Sequence, residues 1–167
     1  SGIAQFIASK GIHNLKKWCD EGYKYIEECD IEYSDWLAVP RSIKRTSIKP
    51  SGTTSLVTGA TPGMHYPISR FYIRRMRLNK TSKLIPAIRK AGYKVEVDVV
   101  DSEHTLVIEI PVDSGEGLRP ESSLTMWEQL NLAAFLQRYW ADNQVSCTIT
   151  FDPKTEADYI PQALEYF

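Results

Sequence analysis

Apolar residues recur at helical spacing along the first third of the chain. Leu15, Trp18, Cys19, Tyr23, Ile26 and Tyr33 share one face, which predicts a helix capped by Asn14, running to about Leu37 and ended by Pro40. A shorter apolar run at 3–10 precedes it and closes at Gly11. Ile43 and Ile48 then sit among basic and hydroxyl residues in a segment that reads as a strand over 43–49, with a short helix from about Thr53 to Val57. "RFYIRRMRLNK" alternates as a strand does, and "TSKLIPAIRKAGYK" reads as a helix with a capping serine or threonine and Gly92 at its end. "KVEVDVV" and "TLVIEIPV" alternate on either side of Asp101-Ser102-Glu103 and predict a β-hairpin. The polar loop "DSGEGLRPESS" leads to a long helix from about Ser123 to Trp140, with Trp127, Leu130, Ala134 and Leu136 as core candidates. "VSCTITF" predicts a strand over 145–151, broken by Asp152-Pro153, and a last helix follows.

Helix and strand alternate around the hairpin, which argues for an α/β fold with a largely parallel sheet. The strands at 43–49 and 145–151 are too few to bury both faces of such a sheet. The amphipathic pattern of "ADYIPQALEYF" also still runs at Phe167, without the Gly, Asn or Pro signal that usually ends a helix. Both features predict a fold completed by further polypeptide.

Composition narrows the function classes. A chain of 167 residues suits one domain, and 43% hydrophobic with 25% charged residues is the balance of a globular protein. Twenty basic residues against twenty-one acidic ones leave a formal charge of -1, so no global field points to nucleic acid or to anionic lipid. No apolar run approaches the roughly 20 residues of a membrane span and no secretory signal opens the chain, so the expected location is cytoplasmic. The three cysteines, Cys19, Cys29 and Cys147, lie far apart without C-x-x-C spacing and are expected to be free.

Candidate chemistry centres on "SIKPSGTTSLVTGATPG", residues 47–63. If 43–49 is a strand and a helix starts near Thr53, then "PSGTTS" is a strand-to-helix joint with outward N–H groups, which favour an anion. Gly52 would let the backbone approach a phosphate, and the hydroxyls of Ser51, Thr53, Thr54 and Ser55 would add donors. Simple capping by Ser51 is the commoner role of a serine before a helix, and spacing leaves both open. No lysine follows at the position that a nucleoside-triphosphatase loop needs.

Other candidates are weaker. Arg70, Arg74, Arg75, Arg77 and Lys80 form a basic stretch, but Arg74 and Arg75 face opposite ways on a strand, so an ion-paired or solvated strand is expected. His13, His65 and His104 are too scattered to suggest a metal site, and His65 stands out slightly because it follows the Pro-Gly turn after the joint. Asp142-Asn143-Gln144 is expected to satisfy backbone groups between helix and strand through side-chain amides.

Taken together, "KPSGTTSLVTGATPGMHYP", "FYIRRMRL" and "MWEQLNLAAFLQRYWADNQVSCTITFDP" closely resemble the C-terminal portion of adenosylcobalamin-dependent (class II) ribonucleotide reductases of the monomeric, triphosphate-reducing type. The resemblance covers most of the chain. It implies a ten-stranded α/β barrel, of which residues 1–167 would form a single segment of late strands and helices with the hairpin as an insertion. In that family the PSGT joint holds substrate phosphates, so Ser51, Gly52, Thr53 and Thr54 inherit that role, and capping becomes the minor reading.

The resemblance further implies thiyl-radical conversion of a ribonucleoside triphosphate, with adenosylcobalamin as cofactor of the complete enzyme and a dithiol reductant such as thioredoxin. The finger-loop pattern N-x-C-x-E and the C-terminal cysteine pair of the family are absent from these 167 residues. No catalytic role therefore passes to Cys19, Cys29 or Cys147. The expectation is a fragment or split subunit that works with a complementary polypeptide carrying the finger loop. The alternative is a phosphate-binding module that has lost the catalytic half.

Overall fold

The computed structural model describes residues 1–52 and 54–167, with the side chain of Leu56 also outside the described set. The chain divides into two compact units, residues 1–68 with 116–167, and residues 69–115. Its helices are α1 (Ile3–Lys10), α2 (Ile12–Leu37), α3 (Thr54–Val57), α4 (Ile85–Lys90), α5 (Met126–Tyr139) and α6 (Ile160–Tyr166). Its strands are β1 (Phe71–Asn79), β2 (Lys94–Val97) and β3 (Thr105–Asp113). Among the described residues no helix is long and apolar enough to cross a membrane.

In the larger unit, Gly11 separates α1 from α2 with φ at 80°, a left-handed conformation that suits glycine. The break comes before Asn14, which does not cap α2 as its sequence context suggests; its Nδ2 donates to the Lys10 carbonyl instead. Leu15 and Cys19, one turn apart, are the apolar residues that α2 buries, together with Ser34. They meet Leu132 and Leu136 of α5, with Ile48 and Met64, in one core. Beyond that core α2 leaves large apolar side chains exposed, and Trp36 keeps 70% of its surface in water.

α5 starts later than the apolar pattern alone suggests, because a capping box fixes its first turn. Thr125 Oγ1 accepts from the Glu128 N–H at 3.1 Å, and Glu128 Oε2 accepts from the Thr125 N–H at 3.1 Å. The buried face is Met126, Gln129, Leu132 and Leu136. Of the expected core residues only Leu136 is buried; Ala134 is exposed, Leu130 is half-buried, and half-buried Trp127 packs against Tyr166 and Phe167.

The expected strands at 43–49 and 145–151 reduce to one parallel bridge, Ile48 with Val145. The reason is that side chains take the N–H groups a ladder would use. Asp142 accepts from the N–H of Arg45 and of Thr46, each at 3.1 Å. On the other segment, the N–H groups of Val145, Thr148 and Thr150 donate to Gln137 Oε1, His65 Nε2 and Gln129 Oε1. Backbone bonds between the two segments are limited, among the described residues, to those from the N–H groups of Asn143, Ile48 and Ser146 to the carbonyls of Thr46, Gln144 and Ile48.

The smaller unit is a three-stranded antiparallel sheet in the order β1-β3-β2. The hairpin forms as the alternation predicts, with Val97 opposite Leu106 and Lys94 opposite Glu109. β2 nevertheless stops at Val97 rather than Val100, because buried Asp98 turns its carboxylate to the Val100 N–H at 2.8 Å and to Arg77. One face of the sheet packs Leu106, Ile108, Leu78 and Val95 against Ile85 and Ile88 of α4. The N-cap of α4 is Leu84, which makes no side-chain cap, so the expected serine or threonine cap is absent; Ser82, two residues earlier, only accepts from the Leu84 N–H at 3.3 Å in a local turn. On β1, Arg75 pairs with Glu96 and Glu109 and Arg77 with Asp98, and just before the strand Arg70 pairs with Asp113, so this basic stretch is ion-paired, one of the two expected outcomes.

Candidate functional site: the Ser51 joint

The joint leads from the Ile48 bridge into α3. Ser51 has φ at 45°, a left-handed conformation unusual for a residue with a side chain. Its carbonyl accepts from the Ser55 N–H at 3.0 Å, closing the first turn. Its hydroxyl accepts from the Gly63 N–H at 3.0 Å and lies 2.6 Å from the Ser1 hydroxyl. Ser51 and Gly52 are half-buried and Thr54 is exposed, so the structure does bring these three together at an accessible turn. Thr53 lies outside the described residues.

Ser55 departs from the expected set. It is 1% exposed, so its hydroxyl faces the interior and does not join the outward donors. Its Oγ and the buried Thr61 Oγ1 have no hydrogen-bond partner among the described residues.

The joint is held by a second loop that sequence reasoning passed over. Gly63 sits at φ 53°, and a Cβ built there would lie 2.5 Å from the Lys49 carbonyl oxygen, so only glycine allows this approach. α1 fixes the same loop: the Gly2 N–H donates to the Thr61 carbonyl at 2.8 Å, and Gln5 Oε1 accepts from the Thr61 N–H at 2.9 Å. The signal available in the sequence was the second turn motif, Thr61-Pro62-Gly63, only a few residues after the first.

Asp142 anchors the segment leading into the joint. Burial pushes its carboxyl upward, but hydrogen bonds from the N–H of Thr46 and Arg45 and from the Tyr23 hydroxyl outweigh it, and its pKa falls from 3.8 to about 2. The expected backbone-satisfying role at 142–144 is thus played by a carboxylate rather than by the neighbouring amides. All three cysteines are free; burial pushes the thiols of Cys19 and Cys147 up, away from the reactive thiolate.

His65 follows this loop and lines a cavity of about 540 Å³ with Met64, Tyr66, Leu132 and the Arg119–Glu128 pair, whose closest approach is 2.8 Å. That volume lies within the roughly 300–1,000 Å³ of small-molecule pockets. The charged pair neutralises itself, and Gln129 spends its amide on Thr150, so the lining offers mainly apolar contact.

No family model matches the chain. Curated proteins do. A probable adenosylcobalamin-dependent ribonucleoside-triphosphate reductase of Dictyostelium discoideum is 60% identical over all 167 residues, which span 22% of that protein. The adenosylcobalamin-dependent ribonucleoside-triphosphate reductase of Euglena gracilis is 56% identical over 100% of the chain and 23% of its own length. That of Levilactobacillus brevis is 40% identical over 86% of the chain and 20% of its own length. Among solved structures, a B12-dependent (class II) ribonucleotide reductase superposes with a TM-score of 0.77 at 36% identity, covering 91% of this chain and 22% of that one. The chain is therefore a relative of the adenosylcobalamin-dependent ribonucleoside-triphosphate reductases, similar to a C-terminal part of them and spanning about a fifth of their length.

Proposed function

We propose that this chain supplies the substrate-phosphate joint of an adenosylcobalamin-dependent ribonucleoside-triphosphate reductase, as late strands and helices of a ten-stranded α/β barrel completed by a complementary polypeptide. The observation that carries the reading is 60% identity over the whole chain to a reductase of which it spans 22%. The bare apolar surface of α2 supports it further, since a free-standing binding module would leave Trp36, Leu37 and Tyr33 in water. Free cysteines support a reducing, cytoplasmic setting.

In this reading the ribonucleoside triphosphate places its phosphates at Ser51, Gly52, Thr53 and Thr54. The left-handed turn at Ser51 and the exposed position of Thr54 support this reading. The Ser51 hydroxyl contributes by holding Gly63, which keeps the turn in place before substrate arrives. Adenosylcobalamin, held by the complete enzyme, would supply the radical chemistry. No residue of this chain is assigned to that cofactor or to the thiyl radical, and its part is to bind and orient the substrate.

The test is reconstitution. This chain, a complementary polypeptide carrying the finger loop, adenosylcobalamin and a dithiol reductant such as thioredoxin should together convert a ribonucleoside triphosphate to its deoxy form. Product formation that proceeds equally well without this chain would overturn the reading.

A further inference from the structure

His65 is held at both ring nitrogens by backbone groups from different parts of the unit. Nδ1 lies 3.0 Å from the Pro62 carbonyl oxygen, and Nε2 lies 3.0 Å from the Thr148 nitrogen. A carbonyl only accepts and a backbone N–H only donates, so both bonds exist together only in the neutral ring with its proton on Nδ1. The ring therefore ties the Pro62 turn to the segment after α5. The next residue in that turn, Gly63, gives its N–H to Ser51 Oγ and presses against the Lys49 carbonyl.

We propose that His65 is a positioning residue for the Ser51 joint: as a neutral, two-ended link it fixes the Pro62-Gly63 turn against Thr148 and so holds Ser51 in its left-handed, phosphate-ready conformation. This rests on the phosphate reading of the joint. The path is short and continuous, from Thr148 N–H through the imidazole to Pro62, then Gly63, then Ser51 Oγ. Nothing in it requires His65 to touch the substrate. The role differs from simple packing because it depends on one acceptor atom at the reach of Nε2.

Two side chains separate the halves of the link. Glutamine can place an acceptor near the Nε2 position and keep Thr148, whereas asparagine reaches only the Nδ1 position and keeps Pro62 alone. In the reconstituted enzyme, His65→Ala and His65→Asn should each raise KM for the ribonucleoside triphosphate by about tenfold with kcat within about twofold, the pattern of lost binding rather than lost chemistry. His65→Gln should bring KM back to within about threefold of the parent. Ser51→Ala, assayed beside them, reports on the joint itself and should also raise KM. If Ser51→Ala raises KM while His65→Asn matches the parent, the link is wrong and the joint stands. If His65→Gln is no better than His65→Ala, or if kcat falls with the alanine variant, the histidine acts only through general packing and the proposal is overturned. If Ser51→Ala leaves KM unchanged, the phosphate reading fails and takes this proposal with it.

Discussion

Replacing Gly63 by alanine is the sharpest perturbation of the joint, because two separate costs meet at one atom. The left-handed φ of 53° costs a residue with a Cβ about 1–2 kcal/mol. The added methyl would also stand 2.5 Å from the Lys49 carbonyl oxygen, where ordinary contact begins about 1 Å further out, and the oxygen it meets is backbone and cannot swing aside as a flexible side chain would. Opening that gap moves Lys49 and Pro50 and is comparable to overpacking a core, about 1–3 kcal/mol. The expected total is about 2–5 kcal/mol, a large part of the roughly 5–15 kcal/mol that holds a domain together. Gly59 provides the control, since its φ of 65° is similarly left-handed but nothing lies within 4 Å of a Cβ there. Gly59→Ala should therefore lose only about 1–2 kcal/mol. Urea titration followed by tryptophan fluorescence measures both. Equal midpoints for the two variants would refute the claim that close approach of Gly63 to Lys49 shapes the joint.

Further outcomes follow from the packing around it. Asp142 titrates at about 2 when folded, below its ordinary 3.8, so its contribution to stability is complete above the ordinary value and is lost as pH falls through about 2. Asp142→Asn should remove that part of the acid dependence, read as a flatter loss of stability between those two values. Leu136 is 0% exposed in the core shared by α2 and α5, and Leu136→Ala should cost about 2–5 kcal/mol, measured by urea or thermal unfolding.

Local chemistry was legible where the chain's own neighbours decide the outcome. The β2–β3 hairpin formed because strict alternation meets a polar turn, and the ion-paired state of Arg75 and Arg77 followed from their places on a strand. Where a distant group competes, the pattern misled. Residues 43–49 and 145–151 read as strands, yet Asp142, Gln137, His65 and Gln129 take several of their N–H groups, and no sequence pattern reveals that competition. Asn14 has capping chemistry, but Gly11 breaks the chain first. At the joint, the motif located Ser51, Gly52 and Thr54 in one turn, while the inward direction of Ser55 and the support from Gly63 and Gln5 arise from contacts with a loop and a helix that spacing does not connect.

The central claim is that the turn at Ser51 holds the phosphates of the substrate rather than its base or sugar. Inhibition of the reconstituted reductase by inorganic tripolyphosphate, compared between the parent and a Ser51→Ala, Thr54→Val double variant, tests it most directly. The double variant should weaken tripolyphosphate inhibition by about tenfold or more and leave inhibition by an unphosphorylated nucleoside unchanged. Unaltered tripolyphosphate inhibition, or an equal loss for both inhibitors, would contradict it.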